Sequence, residues 1–238
     1  MNNILTIAGR QFRSYFNGAA AYIVLSLVLL VVGYLFWQPF FIRQQATLVE
    51  LFNTLPMVMV FAAPAMTMGL LAEEKRTGTI ELLITMPVRD SEVILGKFLG
   101  VLGLYAVLLA LTFAYPIAVS SLGRLDWGEI FGGYLGLLLL GGALLAIGLM
   151  CSGWSDNQLI GFFAAFGFCV VLFLMGTEFV LQLSGLKLGR ILEPLALTPH
   201  LESLARGVID LRDVLYFLSL TGFSLAVAFR SLESRRWS

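Results

Sequence analysis

The sequence predicts an all-α membrane protein with six transmembrane helices, and three observations predict it. Of its 238 residues 59% are hydrophobic and 13% charged, against roughly 45–50% and ~25% in globular chains. That leaves too little polar surface to cover a soluble core, and the mean hydropathy of +0.91 agrees. Six segments carry the run of about 20 mostly apolar residues that a bilayer-crossing helix needs. The charges gather between these segments, and none of the six holds an Asp, Glu, Lys, Arg or His in its interior.

The first element, residues 1–18, is of another kind. Ile4, Leu5, Ala8, Phe12, Tyr15 and Phe16 recur at helical spacing, and Asn3, Thr6, Arg10, Arg13 and Asn17 occupy the other face. This predicts an amphipathic helix suited to the membrane surface. A cleaved signal peptide fits less well, because its charged region would be unusually long and the next apolar run is long enough to span.

The spans follow at approximately 19–37, 51–72, 98–122, 130–153, 158–177 and 214–229. Pro56 and Pro64 in the second and Pro116 in the third predict kinks. Phe52, Met57, Met59, Phe61, Met66 and Met68 make the second span adaptable, which suits either a variable lipid-like cargo or plain packing. The fourth is rich in glycine (Gly132, Gly133, Gly136, Gly141, Gly142 and Gly148). Gly132 with Gly136, and Gly96 with Gly100 in the third, let helices approach closely, inside one subunit or between two.

The basic residues set the orientation. With the N-terminus in the cytoplasm, Arg10, Arg13, Lys75, Arg76, Arg89, Lys97, Arg230, Arg235 and Arg236 lie inside. Arg43, Arg124, Lys187, Arg190, Arg206 and Arg212 lie outside. Nine against six is the positive-inside bias, and it strengthens because long loops count for less. Both ends are therefore expected inside, in a single membrane domain over 1–238 with no soluble domain attached.

Two connections are long. The inner one, 73–97, gathers Glu73, Glu74, Lys75 and Arg76 at one point. Thr77-Gly78-Thr79 should break one helix and cap another, with Glu81 in the new first turn. That short helix must stop before Pro87, and Asp90 or Ser91 should cap the next, with Glu92 in its first turn. The segment either lies on the bilayer with its charges solvated or docks a soluble partner.

The outer connection, 178–213, is broken by Pro194, Pro199 and Gly207. Glu202 and Arg206 can pair at i,i+4, and Asp210 should cap the last span with Asp213 in its first turn. Glu178 reads as an interfacial residue or a carboxylate at a cavity mouth. His200, the only histidine, reads most simply as a solvated loop residue.

The chemistry on offer is sparse. No stretch reads Gly-x-x-x-x-Gly-Lys-Ser/Thr: Gly96-Lys97 is followed by Phe98 and lacks the earlier glycine. The spans lack the ionisable residues of proton relays and ion-coupled carriers. The Ser/His pair of an intramembrane serine protease and the His/Glu clusters of a metalloprotease are missing. Cys151 and Cys169 lie in apolar runs with no metal-ligand spacing and read as buried free thiols. There is no basic footprint for nucleic acid. Energy must then come from outside the chain, and no cofactor or metal site is expected on it.

The run LAEEKRTGTIELLITMPVRDSEVILGKFLG (71–100) resembles the signature of the ABC-2 transporter permeases. It is closest to the single-domain bacterial subfamily that includes gliding-motility-type permeases. The stretch TPHLESLARGVIDLRDVLYFLSL (198–220) resembles the region before that subfamily's last helix, so the likeness covers nearly the whole chain. It implies a permease subunit of the bacterial inner membrane that exports a lipid-like, glycan or amphipathic substrate. Its partners would be two ABC ATPase subunits, which bind the ATP and Mg, and a second permease, identical or homologous. A periplasmic or accessory protein is a further possible partner. The alternative is a subunit that transmits force to an envelope or gliding machine without moving cargo. The resemblance makes Glu73, Glu74, Lys75, Arg76, Thr77, Gly78, Thr79, Ile80 and Glu81 a coupling helix that docks on the ATPase. Glu178, His200, Glu202, Arg206, Asp210 and Arg212 become an outer gate or partner contact.

Overall fold

A computed structural model describes residues 2–43, 47–78, 89–123, 125–177, 180 and 193–233. These residues are 87% helical, with no strand among them. The helices are α1 (Asn2–Asn17), α2 (Ala20–Arg43), α3 (Val49–Thr67), α4 (Gly69–Arg76), α5 (Asp90–Thr112) and α6 (Ala114–Ser120). They continue as α7 (Trp127–Trp154), α8 (Gln158–Leu174), α9 (Leu197–Ala205) and α10 (Leu211–Glu233), with a 3₁₀ turn at Glu193–Leu195 before α9. Among the described residues five stretches are long and apolar enough to cross a membrane: Ala21–Ile42, Val49–Arg76, Asp90–Ser120, Trp127–Trp154 and Leu211–Glu233. The fifth predicted span is the shorter α8, with 17 residues.

Glycine makes α7 the axis of the bundle. Its most apolar stretch is 83% buried, against 22% for that of α2 and 17% for that of α10. Side chains from neighbouring helices stand where its glycines have none: Phe52 over Gly133, Tyr105 over Gly141 and Thr67 over Gly148. Both small-xxx-small pairs are used within the chain. Gly132 and Gly136 receive Leu201 and Leu204 of α9. Gly96 and Gly100 receive Ile7, Ala8 and Gln11 of α1.

The first helix therefore lies along α5, running in the same direction. Asn3 donates to Glu92 at 3.3 Å, and Tyr15 donates to the Met66 carbonyl at 2.7 Å. Burial holds the Tyr15 phenol above its ordinary range. Leu5, expected on the apolar face, is 66% exposed, and Ile7 takes the contact instead. The glycine stripe of α5 selects which face of α1 is buried.

Proline divides two of the predicted spans. The third breaks at Phe113, between α5 and α6. Pro116 has no amide hydrogen for the Thr112 carbonyl one turn back, and the Tyr134 hydroxyl of α7 donates there at 3.0 Å. The second breaks at Met68, one turn after Pro64. The cap of α5 is Arg89, one residue before the expected Asp90 or Ser91, because the Glu92 carboxylate accepts from the Arg89 amide at 3.1 Å. Asp210 caps α10 as expected, accepting from Arg212 N at 2.9 Å. Cys151 and Cys169 are buried free thiols.

Candidate functional site

The charges of the inner connection meet where α4, α5, α7, α8 and α10 converge. Ser152, near the end of α7, accepts from the Leu71 and Ala72 amides at 3.1 Å and donates to the Met68 carbonyl at 2.9 Å. One hydroxyl thus occupies backbone groups exposed by the break at Met68. The Lys75 ammonium and the Ser231 hydroxyl of α10 both donate to the Gly153 carbonyl. Gln158, at the start of α8, lies beside Gly69.

Lys97 was placed by its sequence at the edge of the third span. It lies instead two turns inside α5, with a side chain 4% exposed. Its ammonium donates to Glu74 Oε1 and to the Leu70 carbonyl, each at 2.7 Å. A buried ammonium requires this kind of pairing. Glu74 and Lys97 stand at or next to the two ends of the connection, so one ion pair ties its entry to its exit. Sequence reasoning missed this. Counting apolar residues marks where charges stop, whereas helical phase and the facing Glu74 decide that this lysine points inward.

Glu73 and Arg76 pair at 3.0 Å across the solvent side of α4, with side chains 44% and 65% exposed. Such a pair contributes little stability and leaves both charges accessible. Thr77 closes the helix by donating to the Glu73 carbonyl at 2.9 Å. Gly78 follows at φ +70°, a left-handed turn that favours glycine, which is the expected break. Thr79, Ile80 and Glu81, with the short helix expected there, lie outside the described residues, as does Glu178.

At the opposite end of the bundle α9 covers the first turns of α7. His200 is no solvated loop residue. Its Nδ1 is 2.6 Å from Asp213 Oδ1, its Nε2 is 3.1 Å from the Pro194 carbonyl oxygen, and its ring stacks on Tyr216 with centroids 4.1 Å apart. Tyr216 in turn donates to the Leu195 carbonyl at 2.6 Å. The imidazole thereby joins the 3₁₀ turn, α9 and α10. Glu202 and Arg206 pair at 3.3 Å as the spacing predicted. Asp210 is engaged in capping, and Arg212 is exposed. The five described positions of this set form no single cluster: His200 is a clasp, Asp210 a cap, while Glu202, Arg206 and Arg212 are exposed.

The fold and these two ends define a multi-pass helical membrane protein with a charged, ion-paired connection at one face. The family model described as ABC-2 family transporter protein matches residues 10–193, that is 184 of 238. The chain belongs to that family and is a membrane permease subunit of an ABC transporter. Membership carries with it, in general terms, association with an ABC ATPase and dimerisation. No curated protein matches the chain.

Proposed function

We propose that this subunit is an export permease driven by a separate ATPase through residues 73–97. The layout is read as six crossings, with α8 as the fifth: it has only 17 residues, yet it runs from Gly69 beside α4 to Ala196 and Thr198 beside α9, which supports that reading. The helices before and after α8 then alternate in direction, and α1 and the end of α10 come to the same face as α4. That face is assigned to the cytoplasm of a bacterium, with both termini inside. Two such subunits, identical or homologous, would enclose the path, and two ATPases would bind ATP and Mg beneath it. The cargo is read as a lipid-like, glycan or amphipathic molecule.

The observation that carries the reading is the Lys97–Glu74 pair with its bond to the Leu70 carbonyl. It closes the inner connection at its base, so a push on residues between 77 and 89 reaches the α3–α4 unit and α5 together. In this scheme Glu73, Glu74, Lys75, Arg76, Thr77, Gly78, Thr79, Ile80 and Glu81 form the coupling contact. Exposed Glu73 and Arg76 set register and partner choice. At the other face His200, with Asp210, Glu202, Arg206, Arg212 and Glu178, closes the exit or meets an accessory protein.

Arg76→Glu and Glu73→Arg test this. Each should reduce recovery of the ATPase with the affinity-purified permease and lower ATP turnover of the reconstituted complex, while the permease still folds. Unchanged recovery and turnover would refute the coupling assignment. The same vesicles, assayed for ATP-dependent movement of labelled phospholipid, separate export from force transmission without cargo.

A further inference from the structure

His200 is fastened through both of its ring nitrogens. Nδ1 stands 2.6 Å from Asp213 Oδ1 of α10, and Nε2 stands 3.1 Å from the Pro194 carbonyl oxygen of the 3₁₀ turn. A carboxylate and a backbone carbonyl only accept hydrogen bonds. Each contact is therefore a bond only where the nitrogen carries hydrogen, and both nitrogens carry it only in the imidazolium. A neutral ring must turn a lone pair on one of the two oxygens. The setting suits a cation: the His200 and Asp213 side chains are largely enclosed together, and the ring lies on the face of Tyr216.

The other charged groups nearby are engaged elsewhere. On α9 itself Glu202 is exposed and pairs with Arg206. On α10 Asp210 caps the helix and Arg212 is exposed. α7 meets α9 at Leu201 and Leu204, through Gly132 and Gly136, and Gly176 after α8 meets it at Thr198 and Pro199; these contacts involve no titratable group. Tyr216 holds the same turn by donating to the Leu195 carbonyl, and a phenol keeps its hydrogen over the range in which histidine titrates. Of the two bonds on the turn, one depends on a titrating proton.

We propose that His200 is a proton-operated latch. With both ring nitrogens protonated it holds the 3₁₀ turn and α9 on α10. Loss of the Nε2 proton to water releases the turn, because the lone pair left behind faces the Pro194 carbonyl oxygen and repels it, while Nδ1 keeps its hydrogen on Asp213. Acid closes this end of the bundle and alkali loosens it. The two distances carry the claim, so it holds whether or not the coupling reading does; only the assignment of this end to the outside comes from that reading.

His200 is the only histidine, so nitrogen-15-labelled histidine reports on it alone in the full chain, in nanodiscs, without ATPase or nucleotide. In a parallel sample, spin labels on Leu195→Cys of the turn and Phe223→Cys of α10, both exposed positions, follow the turn as pH rises from about 5 to about 9, across the histidine range. A single short distance is expected while both ring nitrogens carry hydrogen. A second, longer distance should grow in step with loss of the Nε2 hydrogen. Asp213→Asn should move both changes together to about tenfold higher proton concentration or more, and His200→Gln should make the distance independent of pH. The proposal is overturned if the short distance persists with a neutral ring, or if the ring is neutral while the turn is closed. It is equally overturned if Asp213→Asn leaves the transition in place or His200→Gln keeps it. Should either variant fail to fold, the titration of the native histidine against the labelled pair decides alone.

Discussion

Lys97 illustrates how much one side chain depends on its partner. Its side chain is almost fully enclosed, whereas that of Glu74 is 21% exposed. Removing either partner takes away the other's counter-ion, but the cost differs. Glu74→Ala leaves a buried ammonium and should lower stability by about 3–5 kcal/mol. Lys97→Ala removes a bulky side chain, so that water can enter beside the half-buried Glu74, and should cost about 1–3 kcal/mol. Unfolding of the two variants in detergent measures both, and a larger loss for Lys97→Ala would contradict the pairing described. The acidic and basic residues of α4 were legible as a cluster because they are adjacent in sequence. The internal bonds were not, since Ser152, Gly153 and Lys97 reach α4 only through tertiary packing. His200 was misjudged for the same reason: Asp213 and Tyr216 become its neighbours once α9 folds back on α10.

Helices were the most legible elements, because long apolar runs and caps act locally. Their breaks were half legible. Pro116 announced a kink, but the answering donor, Tyr134, lies on another helix. This predicts a coupling between the two residues. Tyr134→Phe should cost about 1–2 kcal/mol in the native background, because the Thr112 carbonyl then has no donor. In a Pro116→Ala background the restored backbone amide can serve that carbonyl, and the same substitution should cost less than half as much. Equal losses in both backgrounds, measured as a double-mutant cycle of unfolding midpoints, would show that the proline does not free the carbonyl. The first helix was legible as a helix, yet its seat was not. The Gly96 and Gly100 pair was visible as a groove, while the identity of the helix lying in it depends on the chain returning along α5.

At the scale of the molecule, the two polar ends stand about 40 Å apart, the length of the 28-residue α7 at 1.5 Å per residue. Coupling over that distance needs rigid elements, and the glycine-lined packing of α7 against α3, α5 and α9 supplies them. Membrane character and family were legible because composition and two long motifs report on the whole chain. The central claim is that the α4 end, with its ion-paired connection, faces the ATPase in the cytoplasm. Thr77→Cys tests it with a membrane-impermeant thiol reagent, since Thr77 is exposed while Cys151 and Cys169 are buried. The account predicts no labelling at position 77 in intact cells and full labelling in inverted vesicles, with Val208→Cys giving the opposite pattern. Labelling at position 77 from outside intact cells would contradict it.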